Sequence, residues 1–302
     1  MNGPRERRIA HGIAAMGLAV FLFSIADAIA KWSAGQGFTP GQIVFMRYAF
    51  GLIPMLVAIF FAGVAALKTQ RPGAHVLRAL LMCNSLVLFF WGLGYLPLVE
   101  AMAVAFTGPL FITALSVPLL GETVGIHRWG AVIVGFVGTL IILQPGTASF
   151  RVESLIVLAS AFSFALGVIY TRKISATETS VSMFVFTTLI AGLVTLPFAV
   201  SAWQAPLPLN WLLFLILGLA GGAAHFLVIV AYRNAPASVN APIEYTALIW
   251  ASLLGWLIWQ DATEMRIWIG AAIISVAGVY VAHRETRSGQ RTATQHANVK
   301  GE

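Results

Sequence analysis

The side chains able to do chemistry are few, and each sits in apolar sequence. Glu244, in Pro242-Ile243-Glu244-Tyr245-Thr246, is a carboxyl group among aliphatic and aromatic neighbours, with no basic residue beside it. An ionisable group there costs free energy, so it is expected to bind a cation, carry a proton or make a buried helix–helix hydrogen bond. Asp27 precedes Lys31 by four residues, the spacing of a pair on one helix face. It is either the acid of that pair or a site carboxylate. Arg47, in Phe45-Met46-Arg47-Tyr48, offers a guanidinium to a substrate carboxylate or braces two helices. His225 follows Gly221-Gly222-Ala223-Ala224, small residues that let a neighbouring helix approach. Its imidazole is a ligand, a proton carrier or a packing group. Asn84, Ser163 and Asn240 are milder candidates, able to hydrogen-bond a zwitterion or another helix. Trp91, Tyr95, Tyr245 and Trp250 offer rings to an apolar or aromatic moiety. No P-loop, Rossmann glycine pattern, HExxH or nucleophile elbow occurs. The single cysteine, Cys83, allows neither a disulfide nor a thiolate metal cluster. The sequence thus predicts no catalytic residue, no cofactor and no metal.

These groups need elements to hold them. Of 302 residues, 59% are hydrophobic and 10% charged; a soluble domain has roughly 25% charged residues. Too little polar surface exists to cover such a globule in water, which excludes a soluble enzyme, a coiled coil and a disordered chain. Ten apolar stretches can be drawn at 12–30, 41–66, 76–94, 99–120, 127–144, 152–171, 181–202, 209–231, 237–258 and 264–282. Most reach the ~20 residues that cross a bilayer core. Backbone in lipid must satisfy its own hydrogen bonds, so these are helices; the alternating short segments of a barrel are absent. The first stretch is read as a retained helix, because Ala28-Ile29-Ala30 leads into Lys31-Trp32 and makes a poor cleavage site.

The net charge of +7 is spread in short patches between spans, which reports orientation rather than nucleic-acid binding. With the N-terminus in the cytoplasm, 14 of the 18 Lys and Arg residues fall on that side, Arg78 among them. Both termini are then cytoplasmic, and the polar tail after Tyr280 is expected to be disordered beyond its last basic cluster. Glu100, Glu122, Asp261 and Glu264 read as helix-end residues. Gly121-Glu122, Trp129-Gly130-Ala131 and Gly138 recur as Gln260-Asp261, Trp268-Ile269-Gly270-Ala271 and Gly278. The chain therefore divides into a cytoplasmic segment 1–11, a five-helix unit 12–146, a second unit 147–283 and a cytoplasmic tail 284–302. An odd number of helices per unit inverts the second, the plan of alternating-access transporters. A central cavity is expected between the halves, lined from spans one, three, six, eight and nine.

The sequence resembles the drug/metabolite transporter superfamily, in the group with paired EamA-type repeats. The resemblance rests on Lys31, Arg47, Pro109, Gly121-Glu122, Ala231-Tyr232-Arg233-Asn234-Ala235-Pro236 and Glu244-Tyr245-Thr246. Asp261 stands where the family usually has glutamate, and Tyr245 where proline often follows the glutamate. The resemblance implies a multi-pass transporter of the bacterial inner membrane that exports amino acids, including aromatic and neutral ones. The alternative is uptake or exchange of a nucleoside-like or vitamin-like metabolite. The implied partners are a small-molecule substrate, membrane lipid and protons, not nucleic acid, with the protein a monomer or weak dimer.

Overall fold

The computed structural model describes residues 4–122, 124–147 and 150–299, apart from the side chains of 4–6, 237–238 and 285–299. The helices are α1 (Pro4–Gly35), α2 (Pro40–Ala62), α3 (Pro72–Leu93), α4 (Leu98–Ala105), α5 (Gly108–Leu120), α6 (Ile126–Leu143), α7 (Glu153–Ile174), α8 (Ser180–Ser201), α9 (Pro208–Asn234), α10 (Ala237–Glu244), α11 (Ala247–Trp259) and α12 (Met265–Val299). Ten of the spans they build are long and apolar enough to cross a membrane. The second span ends at Ala62, before a short 3-10 turn over Val64–Leu67. The tenth helix continues to Val299, where a disordered tail was expected.

Two spans are broken, which the hydropathy pattern did not reveal. The fourth consists of α4 and α5, the ninth of α10 and α11. Their lengths match: α4 and α10 have 8 residues each, α5 and α11 have 13. The chemistry of the two breaks matches as well. Thr107 Oγ1 donates to Val104 O at 2.8 Å, and Thr246 Oγ1 donates to Ile243 O at 2.6 Å. A threonine that bonds the preceding turn competes with the helix ladder. In the first half Pro109 also removes a backbone donor from the new helix start. Pro97 and Pro236 precede the two spans, and left-handed residues, Gly121 and Gln260, end them. Thr39 and Thr179 cap α2 and α8 alike, accepting from the amides of Gln42 and Ser182.

The packing is pseudo-symmetric. α1 lies on α9 as α7 lies on α3; α2 lies on α9 as α8 lies on α3; α2 pairs with α8 and α6 with α12. The α1–α11 contact repeats as α7–α5, and α10–α12 as α4–α6. We call the end of the bundle where α1 begins the near face and the end where it finishes the far face. Several contacts have no symmetry mate, among them α2 on α3, α1 on α3 and α5 on α6, and the most extensive lies at the far face. At the far face α4 packs on α11, while their near-face mates α10 and α5 make no comparable packing.

Small residues set the closest approaches. Near the far face α6 and α12 meet at Gly138 and Gly270, where an added Cβ would strike the opposing helix. Toward the near face, Gly130 has nothing within reach, and Gly278 is covered by the Tyr245 side chain. The α6–α12 seam is therefore backbone-to-backbone near the far face and filled by a tyrosine side chain toward the near one.

Candidate functional site

Asp27 and Arg47 come together in the half of the bundle nearer the far face. α1 carries Phe23 and Asp27 one turn apart, so both project from one face of that helix. The Arg47 guanidinium, from α2, lies over Phe23 with its Cζ 5.7 Å from the ring centre, and at the same distance from Phe90 of α3. Gly221 of α9 makes the room: a Cβ there would come within 3.0 Å of the guanidinium carbon. Arg47 is the charge that acts on the Asp27 carboxylate. The pair does not close into an ion pair. Among the described residues neither group has a hydrogen-bond partner, and the polar atoms of both keep some accessible surface. The Asp27 residue is nonetheless only 7% exposed. The expected Asp27–Lys31 pair does not form. Lys31 turns away, donates to Leu96 O at 2.6 Å and faces Asp261 at 4.0 Å. The physical reason is position: Lys31 lies at the helix end, where loop carbonyls and a carboxylate are within reach.

The other candidates are scattered. Asn84 donates to Ser163 Oγ at 3.1 Å, and Ser163 donates in turn to Leu81 O at 3.0 Å. With Ser85 and Ser160 they form a polar seam between α3 and α7, although Asn84 keeps an exposed side. Asn240 is wholly buried, donates to Ala235 O at 3.2 Å and closes the turn before α10. His225 is exposed and stacks on Phe184 of α8, 5.4 Å between ring centres. Trp91 and Tyr95 are open along one side of α3 and the loop after it. Tyr245 is buried at the ninth-span break, its ring 4.7 Å from Phe106 at the fourth-span break. Trp250 meets Phe21 edge-on at 4.8 Å. Glu244 is not partnerless: the Tyr232 hydroxyl, from α9, donates to its carboxylate.

Sequence reasoning missed the polar network of the far face by treating its members as boundary residues. Arg266 of α12 forks onto Glu264, at 2.7 and 3.2 Å, and donates to Ile142 O of α6. It also lies 3.6 Å from Glu100 of α4, whose side chain is 2% exposed. The Arg266 fork holds the Glu264 carboxyl below its ordinary range. Lys31 adds its bond to Leu96 and lies 5.1 Å over the Trp259 ring. Four acidic or basic residues at three predicted helix ends were the available sign, but no one-dimensional spacing links them. Arg78, assigned to the cytoplasmic surface by counting, is buried. It donates to Thr171, to Met183 O and to Thr187, joining α3 to α7 and α8.

No described residues form a group of three or more metal-ligating side chains. Ten helices long and apolar enough to cross a membrane make the chain a multi-pass membrane protein. It belongs to the EamA-like transporter family, which matches twice, over residues 10–144 and 152–283. The S-adenosylmethionine uptake transporter of Rickettsia prowazekii is 31% identical over 278 residues, covering 92% of this chain and 94% of the relative. The riboflavin transporter of Vibrio cholerae is 31% identical over 273 residues, covering 89% and 92%. The pseudopaline exporter of Pseudomonas aeruginosa is 27% identical over 262 residues, covering 86% and 92%. A solved crystal structure, 21% identical, shares the fold with a TM-score of 0.62 over 94% of this chain and 98% of that one.

Proposed function

We propose that the protein moves a nucleoside-like or vitamin-like metabolite across the bacterial inner membrane by alternating access, as an uptake or exchange transporter. The observation that carries this is the one-sided contact between the broken spans: α4 packs on α11 at the far face, and α10 makes no comparable packing on α5 at the near one. Two like units, 12–146 and 147–283 and inverted in the membrane, would exchange that contact from one face to the other. The basic bias of the loops supports cytoplasmic termini, which makes the near face cytoplasmic. Amino-acid export, the first expectation, loses ground. The relatives described above are named for S-adenosylmethionine, riboflavin and pseudopaline, none of them a common amino acid. Two of the three names also denote metabolites with an extended ring system.

Asp27 and Arg47 are the proposed centre of recognition, because they are interior, charged and partly accessible. Glu244 with Tyr232, at the ninth-span break near the cytoplasmic side, is the proposed coupling or near-side binding group. His225, Trp91 and Tyr95 are secondary candidates. Asn84, Ser163, Asn240 and Tyr245 serve packing in this conformation. The working unit is a monomer or weak dimer. The test is uptake by protein-containing vesicles of labelled S-adenosylmethionine, riboflavin and phenylalanine, with and without an imposed pH gradient. Saturable movement of one of the first two is expected. Movement of phenylalanine alone would restore amino-acid transport, and hydrolysis without flux would overturn transport altogether.

A further inference from the structure

A lone acid and a lone base this deep in an apolar bundle normally find each other, since a close ion pair offsets part of the desolvation of both. Asp27 and Arg47 do not. No ion pair within 4.0 Å joins them, although Phe23, one turn from Asp27, touches the guanidinium. The reason lies in what holds Arg47. Its guanidinium rests on the faces of Phe23 and Phe90, an arrangement attractive for a cation, and backs into the niche left by Gly221. The charges are thus held near but apart, without a hydrogen-bonding protein partner, each with polar atoms that keep some accessible surface.

A ligand carrying one charge would satisfy one member and leave the other bare. A neutral ligand would satisfy neither. A ligand bearing a cationic centre and a carboxylate a few ångströms apart would satisfy both, and would displace little, because nothing in the protein is bonded to either group. We propose that this cradle is a zwitterion-recognition site: Asp27 takes an ammonium or sulfonium, Arg47 takes the carboxylate, and Phe23 and Phe90 flank them. The inference rests on the transport reading above and narrows its substrate class to metabolites that carry an amino-acid end. A guanidinium is the better partner for a planar carboxylate, since its donors match both oxygens. A carboxylate offers no such geometry but accepts an ammonium or attracts a sulfonium by charge alone.

The experiment uses the full-length protein in phospholipid vesicles. Competition against labelled S-adenosylmethionine is measured with S-adenosylhomocysteine, decarboxylated S-adenosylmethionine, 5′-methylthioadenosine and riboflavin. The first competitor keeps the zwitterion, the second lacks the carboxylate, and the last two lack both charges. Wild-type protein is expected to prefer S-adenosylmethionine and S-adenosylhomocysteine at least tenfold over the others. Arg47→Gln should erase the penalty for a missing carboxylate and keep the preference for a cation. Asp27→Asn should do the reverse. If either variant fails to fold, the analogue series on wild-type protein decides alone. Riboflavin or 5′-methylthioadenosine moved as well as the zwitterions overturns the zwitterion site and leaves transport standing. Folded protein that moves no compound of the panel overturns both.

Discussion

α2 and α8 are tied to each other's neighbourhood at both ends of the bundle, whereas the helices around the two breaks carry a buried ion pair at the far face and only an exposed one at the near face. At the far face Gln42 and Gln204 exchange hydrogen bonds of 2.7 and 3.1 Å, and Gln204 also reaches Gln36 O at 3.1 Å. At the near face Glu178, in the loop before α8, accepts from His75 at 2.9 Å and from the Gln70 amide at 3.2 Å, while Thr179 donates to Ala66 O at 2.8 Å. The bond from His75 holds the Glu178 carboxyl below its ordinary value of 4.5. Around the breaks, Glu100 and Arg266 join α4 to α12 at the far face only. In the second half the position matching Glu100 is Val239, which cannot make the same bond. One region is held by hydrogen bonds at both ends, and the other has its buried ion pair at one end. A helix pinned at both ends resists tilting, while one pinned at a single end can swing about that pin. The difference comes from side-chain chemistry laid over nearly symmetric backbones.

Removing Arg266 should break the comparison most severely. Arg266→Ala leaves Glu100 buried without its counter-charge, and breaking a buried pair costs about 3–5 kcal/mol. A fall in thermal stability is expected, together with opening of the far-face seam. That opening is read by a membrane-impermeant thiol reagent reaching Leu98→Cys in a Cys83→Ser background, since Leu98 lies buried against Gly255 of α11. Unchanged stability and unchanged labelling would show that the pair holds nothing. Arg78→Met should come next. It removes charge-assisted hydrogen bonds to α7 and α8 within the region tied at both ends, for about 2–3 kcal/mol. Stability should drop without any change in far-face labelling. If labelling rose as well, the two regions would be one mechanical unit.

Acid should act on the near-face tie before it acts on the bundle. Glu178 has a depressed folded-state value, so its contribution is complete above about 4.5 and is lost as pH falls from there through the lower folded value. Hydrogen exchange in residues 63–71 should quicken over that window, and Glu178→Gln should flatten the response. A tie that loosens instead on the alkaline side would contradict the assignment. The smallest effect is expected from Glu122→Gln. Its 3.6 Å pair with Arg172 is about 40% exposed on each side and mirrors the Lys31–Asp261 pair. Exposed pairs contribute about 0–1 kcal/mol, so melting should shift little. A large shift would mean that the near face carries a lock of its own.

The sequence by itself determined the spans, their number, the twofold repeat and the family, because hydropathy, proline, glycine and recurring Trp-Gly patterns are local quantities. It also exposed Asp27, Arg47, Glu244 and His225 as anomalies, since a charge in an apolar stretch stands out in one dimension. Their partners were decided only by tertiary structure. Lys31 had Asp27 at ideal helical spacing and turned to Leu96 and Asp261 instead, because the helix end brings a loop and another span within its reach. Glu244 found Tyr232 twelve residues back, across a turn whose course no propensity gives. Interior prolines, Pro109 and Pro242 among them, marked spans four and nine as bent or broken, but hydropathy did not place the breaks, because both halves of each remain apolar and hydropathy does not register which backbone carbonyls are bonded. The one-sided contact lay further out of reach. Two nearly equivalent faces have nearly equivalent sequences, and which of them holds that contact depends on how separate helices lean together.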